Sequence, residues 1–148
     1  MFEPNTVVLC SGGNRMMQIE LLSGGAPECP LVRFFSPDAA DFLRLRSAIG
    51  WIGAGQGRSW EVCADDGYAL ISIKRLSLDN AGVEGMTHDG TGCLIWSLSP
   101  YDWQAVSALL EPLCAASATR GFQWLDEAGR GFSNGLAVLA SRSTDGSC

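Results

Sequence analysis

The chain has 148 residues, 47% of them hydrophobic and 18% charged, and a net charge of −6 at pH 7. That length suits one domain over residues 1–148, and the apolar fraction supports a packed core, which excludes an intrinsically disordered chain. Sixteen acidic residues face ten basic ones, with Lys74 the one lysine, so both the basic footprint of a nucleic-acid binder and that of an anionic-membrane binder are excluded.

Thr6–Cys10 (TVVLC) reads as a strand, Ser11-Gly12-Gly13-Asn14 as a turn and Met16–Leu22 as a returning strand, which predicts an N-terminal β-hairpin. Ser23–Pro30 is dense in breakers and reads as a loop. Leu31–Gly50 then passes from an apolar strand into a helix: Ser36 is the expected cap, Pro37 the first helical residue, and Asp38 and Asp41 the acids of the first turns. Ala39, Phe42, Leu43, Leu45 and Ile49 form its expected inward face, Arg44 and Arg46 point outward, and Gly50 is the expected stop.

After Gly50 the segment WIGAGQGRS is glycine-rich and reads as a mobile loop. Trp60–Ala64 and Tyr68–Lys74 flank Asp65-Asp66-Gly67, a strong hairpin signal. Ser77–Gly92 reads as loop. Cys93–Gly121 repeats the strand–helix plan: Leu94, Ile95, Trp96 and Leu98 form the strand, Ser99 caps, Pro100 starts and Asp102 sits in the first turn. Trp103, Val106, Leu110 and Leu113 recur at helical spacing, and Pro112 predicts a kink or the start of a second short helix. Phe122–Asp126 and Leu136–Ser141 read as a final strand pair, and residues 142–148 as a frayed polar tail.

These elements predict an α+β fold: a largely antiparallel sheet with two helices on one face, formed by two βαββ halves after the N-terminal hairpin. Paired βαββ halves resemble, in topology alone, metal-dependent folds of the vicinal-oxygen-chelate kind. Those folds draw His and Glu ligands from both halves, a set that His88 cannot supply as the one histidine. Glu61, Glu84 and Asp126 are the carboxylates suited to a hard cation, but as scattered acids they read as solvated surface; no metal and no cofactor is expected.

Six cysteines, Cys10, Cys29, Cys63, Cys93, Cys114 and Cys148, and no recognisable leader are read as a reduced, cytoplasmic protein, with Cys10, Cys63, Cys93 and Cys114 set in apolar strands or a helix. Gly53-Ala54-Gly55-Gln56-Gly57-Arg58 is similar to a phosphate-cradling loop but follows a helix, whereas such loops precede one. Trp96 and Trp103 are expected in the core. Trp51, Trp60 and Phe132, close to Glu61, Asp65, Asp66, Glu84, Asp126 and Glu127, form the candidate partner-binding set, because aromatic anchors beside acids suit a basic protein surface.

The sequence therefore favours a non-enzymatic, acidic protein-binding module, in its sharpest form an inhibitor or immunity-type protein that neutralises a toxin or effector. The rival reading is a small enzyme in which His88, Cys93 and an acid, Asp89 or Glu84, form a nucleophile–base pair with an orienter. A small-molecule sensor is a third.

Overall fold

The computed structural model describes residues 17–22, 31–80, 85–88, 90–115, 121–125 and 137–142. The chain runs β1 (Met17–Leu22), β2 (Leu31–Ser36), α1 (Ala39–Gly53), β3 (Ser59–Glu61), a 3-10 turn (Ala64–Asp66), β4 (Tyr68–Ile71), β5 (Arg75–Asp79), β6 (Gly85–His88), β7 (Cys93–Ser97), α2 (Pro100–Leu110), a second 3-10 turn (Glu111–Cys114), β8 (Gly121–Trp124) and β9 (Ala137–Arg142). The fold is α+β.

The strands divide into two mixed sheets, one of five in the order β4-β1-β2-β9-β8 and one of four in the order β3-β5-β7-β6. The pairs β1–β2, β3–β5, β6–β7 and β8–β9 are antiparallel, while β1–β4, β2–β9 and β5–β7 are parallel. The expected single layer is thus two, and between β4 and β5 the chain crosses from the larger to the smaller at Ser72. There φ is 62°, the one positive value outside glycine among the described residues. The stretch Tyr68–Lys74 is therefore not one strand. It stops at Ile71 in the five-stranded sheet and resumes at Arg75 in the four-stranded one.

The strands flanking each helix also lie in different sheets. β2 belongs to the larger and β3 to the smaller, β7 to the smaller and β8 to the larger, so neither Ser-Pro unit closes a βαββ sheet of its own. Thr6–Cys10, the first arm of the expected N-terminal hairpin, lies outside the described residues; the second arm pairs with β2 and β4. The expected loop Ser77–Gly92 instead holds the end of β5 and all of β6. In β5, Leu76 and Leu78 are fully buried while Arg75, Ser77 and Asp79 alternate outward, the period of a half-buried strand.

Inner-face side chains of both sheets and both helices meet in one apolar cluster. A run of rings crosses it: Phe34 of β2 lies 6.1 Å from Trp96 of β7, which meets Trp103 of α2 edge-on at 4.9 Å. The Trp103 indole N–H donates to the Asp79 carbonyl at 2.8 Å, so this fully buried ring leaves no polar atom unpaired. The helices cross at Gly53, where a Cβ would stand 3.3 Å from Trp103 Cβ. Gln104 Nε2 donates to the Gly53 carbonyl there, and Arg46 Nε donates to the Ser107 carbonyl along the same contact.

The two helix starts share a motif but not a mechanism. Ser99 caps α2 as expected, its Oγ accepting from the Asp102 amide at 3.1 Å with Pro100 at the first position. At α1 the cap is Asp38, which accepts from Ala40 N, and not Ser36. Ser36 Oγ instead accepts from Asp38 N and donates to the buried Asp41 carboxylate at 2.6 Å. Nor does α1 stop at Gly50: Ile52 is fully buried and holds the helix on its core stripe for a further turn. Pro112 ends α2 at Leu110 and sits in the 3-10 turn that follows.

Arg142, assigned by sequence to the polar tail, is the last residue of β9 and 6% exposed. Among the described residues no helix is long and apolar enough to cross a membrane.

A candidate groove where the sheets part

α1 spends its two sides differently. Phe42, Leu45, Ile49 and Ile52 recur at steps of three and four and are fully buried. Leu43 falls off that stripe and is 49% exposed, which corrects its expected inward place. Leu43 and Ser47, with Arg44 and Ala48, each four residues apart, make a second stripe facing outward.

Opposite that stripe stands the corner joining β3 to β4. Asp65-Asp66-Gly67 does not form a hairpin. Ala64–Asp66 is a 3-10 turn in which the Asp66 amide donates to the Cys63 carbonyl and the Gly67 amide to the Ala64 carbonyl, each at 3.0 Å. Gly67 then takes φ 93°, a left-handed conformation that costs other residues dearly, and sends β4 away into the other sheet. The Gly67 carbonyl accepts from Met17 N at 3.1 Å, which fastens the corner to β1.

Between stripe and corner lies an open groove of about 820 Å³. Trp60 and Tyr68, one from each sheet, meet edge-on at 5.6 Å and form its aromatic wall. Arg44 crosses over Gly67 and stands 5.9 Å from the Tyr68 ring centre, with Nη2 2.5 Å from Asp41 Oδ1. Burial pushes the Tyr68 phenol up to about 12, against the pull of the Arg44 charge. Asp65 and Asp66 are exposed on the lip, and among the described residues no cation lies within ion-pair distance of either.

Three of the expected partner-binding residues, Trp60, Asp65 and Asp66, thus share one groove. Glu61 is turned to Arg75, whose Nε and Nη2 bind its two carboxylate oxygens at 3.0 and 2.8 Å; the hydrogen bonds hold that carboxyl below its usual range. Trp51 is 41% exposed but lies across Gly57, away from the lining. Glu84, Asp126, Glu127 and Phe132 lie outside the described residues. The sequence reading missed Leu43, Ser47, Ala48 and Tyr68, although the four-residue spacing on α1 was there to be seen.

The loop similar to a phosphate cradle is a helix end with its amides turned inward. Ala54 N donates to Gly50 O, Gly55 N to Ile52 O and Gln56 N to Trp51 O. Asn80 Nδ2 binds the Ile52 and Gly57 carbonyls, so what was read as a mobile loop is tied to the end of β5.

Strand register sets His88 across from Leu94 and Cys93 across from Arg75 in β5, so β6 and β7 do not pair the histidine with the thiol. Asp89, Glu84 and the His88 side chain lie outside the described residues. Cys63 and Cys114 are free thiols. Cys63 is exposed beside the 3-10 turn, not inside an apolar strand, because the strand ends at Glu61. Burial pushes the Cys114 thiol up, which makes it a poorer nucleophile at neutral pH. Among the described residues no three His, Cys, Asp or Glu side chains gather closely enough to hold a metal ion.

No protein-family model matches the chain, and no curated protein and no solved structure matches it.

Proposed function

We propose that this chain acts by binding another protein, as an acidic inhibitor of the immunity type that covers a basic surface on a toxin or effector. The observation that carries the reading is the groove, where Trp60 stands beside two carboxylates, Asp65 and Asp66, that no cation of the described chain neutralises. An aromatic ring supplies contact area at small entropic cost, and fixed negative charge steers a basic partner into register. The chain's net charge of −6 acts in the same direction at longer range.

The test is affinity capture from an extract of the source organism with the whole chain as bait, followed by association kinetics on what is retained. The expected result is one saturable partner with a basic surface, whose association rate falls about tenfold between low and physiological salt. Background proteins alone, or a rate indifferent to salt, would remove the reading.

A further inference from the structure

We propose that the groove seats a cationic side chain, arginine or lysine, projecting from an extended basic segment of the partner. The inference rests on the protein-binding reading and narrows it to one site and one chemistry.

Arg44, the groove's own cation, is already committed: its guanidinium is held by Asp41 and lies against the Tyr68 ring. Among the described residues, the groove carboxylates without a counter-charge are Asp65 and Asp66, which makes the field at the lip negative. Beside these acids the lining offers apolar surface, with exposed Leu43 on α1 and Trp60 on β3. A long basic side chain matches that division, since its methylene stem lies on apolar surface while its head stays at the acids. Over Trp60 the head also gains from the ring's negative face.

Width and rigidity favour a segment of chain as the occupant. Ser47 and Ala48 are short, so the helix side of the groove presents little bulk to a segment of chain laid against it. The two acids stand on a 3-10 turn closed by two main-chain hydrogen bonds and fastened to β1 through Gly67, so little ordering remains to be done on binding.

The test is an amide-resolved NMR titration of the whole chain with an acetylated tetra-arginine amide, beside its tetra-citrulline counterpart and free arginine amide. Saturable shifts confined to 43–48 and 60–68, including the Trp60 indole N–H, are expected with tetra-arginine, and weaker ones with arginine amide. D65N/D66N, which keeps the turn and removes the charge, should bind about fivefold more weakly. S47W, which fills the groove and keeps the charge, should abolish the shifts.

Equal shifts from tetra-citrulline overturn the proposal, because the charge then does nothing. Equal affinity for arginine amide overturns it in favour of a small cationic metabolite. Shifts that are absent, that spread over acids elsewhere, or that saturate with unchanged affinity in D65N/D66N also overturn it. Capturing a partner equally well with wild-type and D65N/D66N baits leaves protein binding standing and removes the groove from it. Capturing none with wild type sinks the binding reading itself.

Discussion

Replacing Arg142 by alanine should lower stability by about 3–4 kcal/mol, although nothing in the sequence marks this residue. Its guanidinium is buried at the end of β9 and spends its donors on three main-chain carbonyls. Nε and Nη2 reach Pro37 O at 3.2 and 3.0 Å, and Nη1 reaches Leu113 O and Ala115 O at 3.0 and 3.1 Å. One side chain thus ties the entry of α1 to the exit of the turn after α2. Leu113 and Ala115 lie where that helical segment ends, and the helix dipole there favours a cation. A hydrogen bond to a charged group contributes about 1.5–3 kcal/mol, and alanine would leave buried acceptors without a donor. Against this, the arginine no longer has to be desolvated, which returns part of the loss and sets the net figure. Urea unfolding followed by far-UV circular dichroism measures it: with a slope of about 2 kcal/mol/M the midpoint should fall by about 1.5–2 M at unchanged slope. Arg142→Lys should lose about half as much, since an ammonium cannot span the three carbonyls with a planar fork. An alanine variant within about 0.5 kcal/mol of wild type would refute the reasoning, because surface substitutions behave that way.

The two serine–proline starts should respond differently to the same change. Ser99→Ala loses a helix cap and about 1 kcal/mol, and at α1 it is Asp38→Ala that carries the equivalent loss; both are read from unfolding midpoints. Ser36→Ala removes the hydroxyl that donates to buried Asp41 and should cost about 1–3 kcal/mol. Gly53→Val forces branched bulk against Trp103 and Gln104 at the helix crossing and should cost about 1–3 kcal/mol, with near-UV dichroism showing the tryptophan environment altered. Gly67→Ala must hold a left-handed backbone and push the Arg44 guanidinium aside, and should cost about 1–2 kcal/mol in the unfolding midpoint; a loss within about 0.5 kcal/mol would mean the turn is misread. The Tyr68 phenol has its folded value raised to about 12 from an ordinary 10, so it favours folding in full below pH 10 and the contribution is lost as pH rises from 10 through 12. Absorbance at the phenolate band, wild type minus Tyr68→Phe, should show that group ionising at about pH 12, and ionisation near 10 would place it in solvent.

What the sequence disclosed was what neighbours in the chain decide. Ser99-Pro100 and the buried run Trp103, Val106, Leu110 and Leu113 predicted α2 because a cap and a 3.6-residue period need no distant partner. Placing Trp96 and Trp103 in the core succeeded for the same reason. Leu43 failed because apolar character was counted without its angle: 42, 45, 49 and 52 share a side, and 43 does not. β5 failed because the loop-like composition after it hid the alternation of Leu76 and Leu78. Arg142 and Ser72 could not be read at all. The role of the first is set by carbonyls far away in sequence, and that of the second by a backbone choice that serine does not announce.

The misread hairpin and the candidate site have a single cause. Had Asp65-Asp66-Gly67 closed a hairpin, β3 and β4 would have paired, and their main-chain groups would have filled the space that is now a groove. The left-handed Gly67 instead sends the strands apart, β3 to β5 and β4 to β1. Trp60 and Tyr68 are left meeting edge-on where the sheets part, with the short residues Ser47 and Ala48 of α1 lining the same space. Two carboxylates then fall on the lip because they belong to the turn that made the gap. A change that restored pairing between β3 and β4 would therefore close the groove and withdraw its charge together. On this reading the charge of the site and its shape cannot be separated by any rearrangement of the corner, only by substitutions such as D65N/D66N that leave the turn intact.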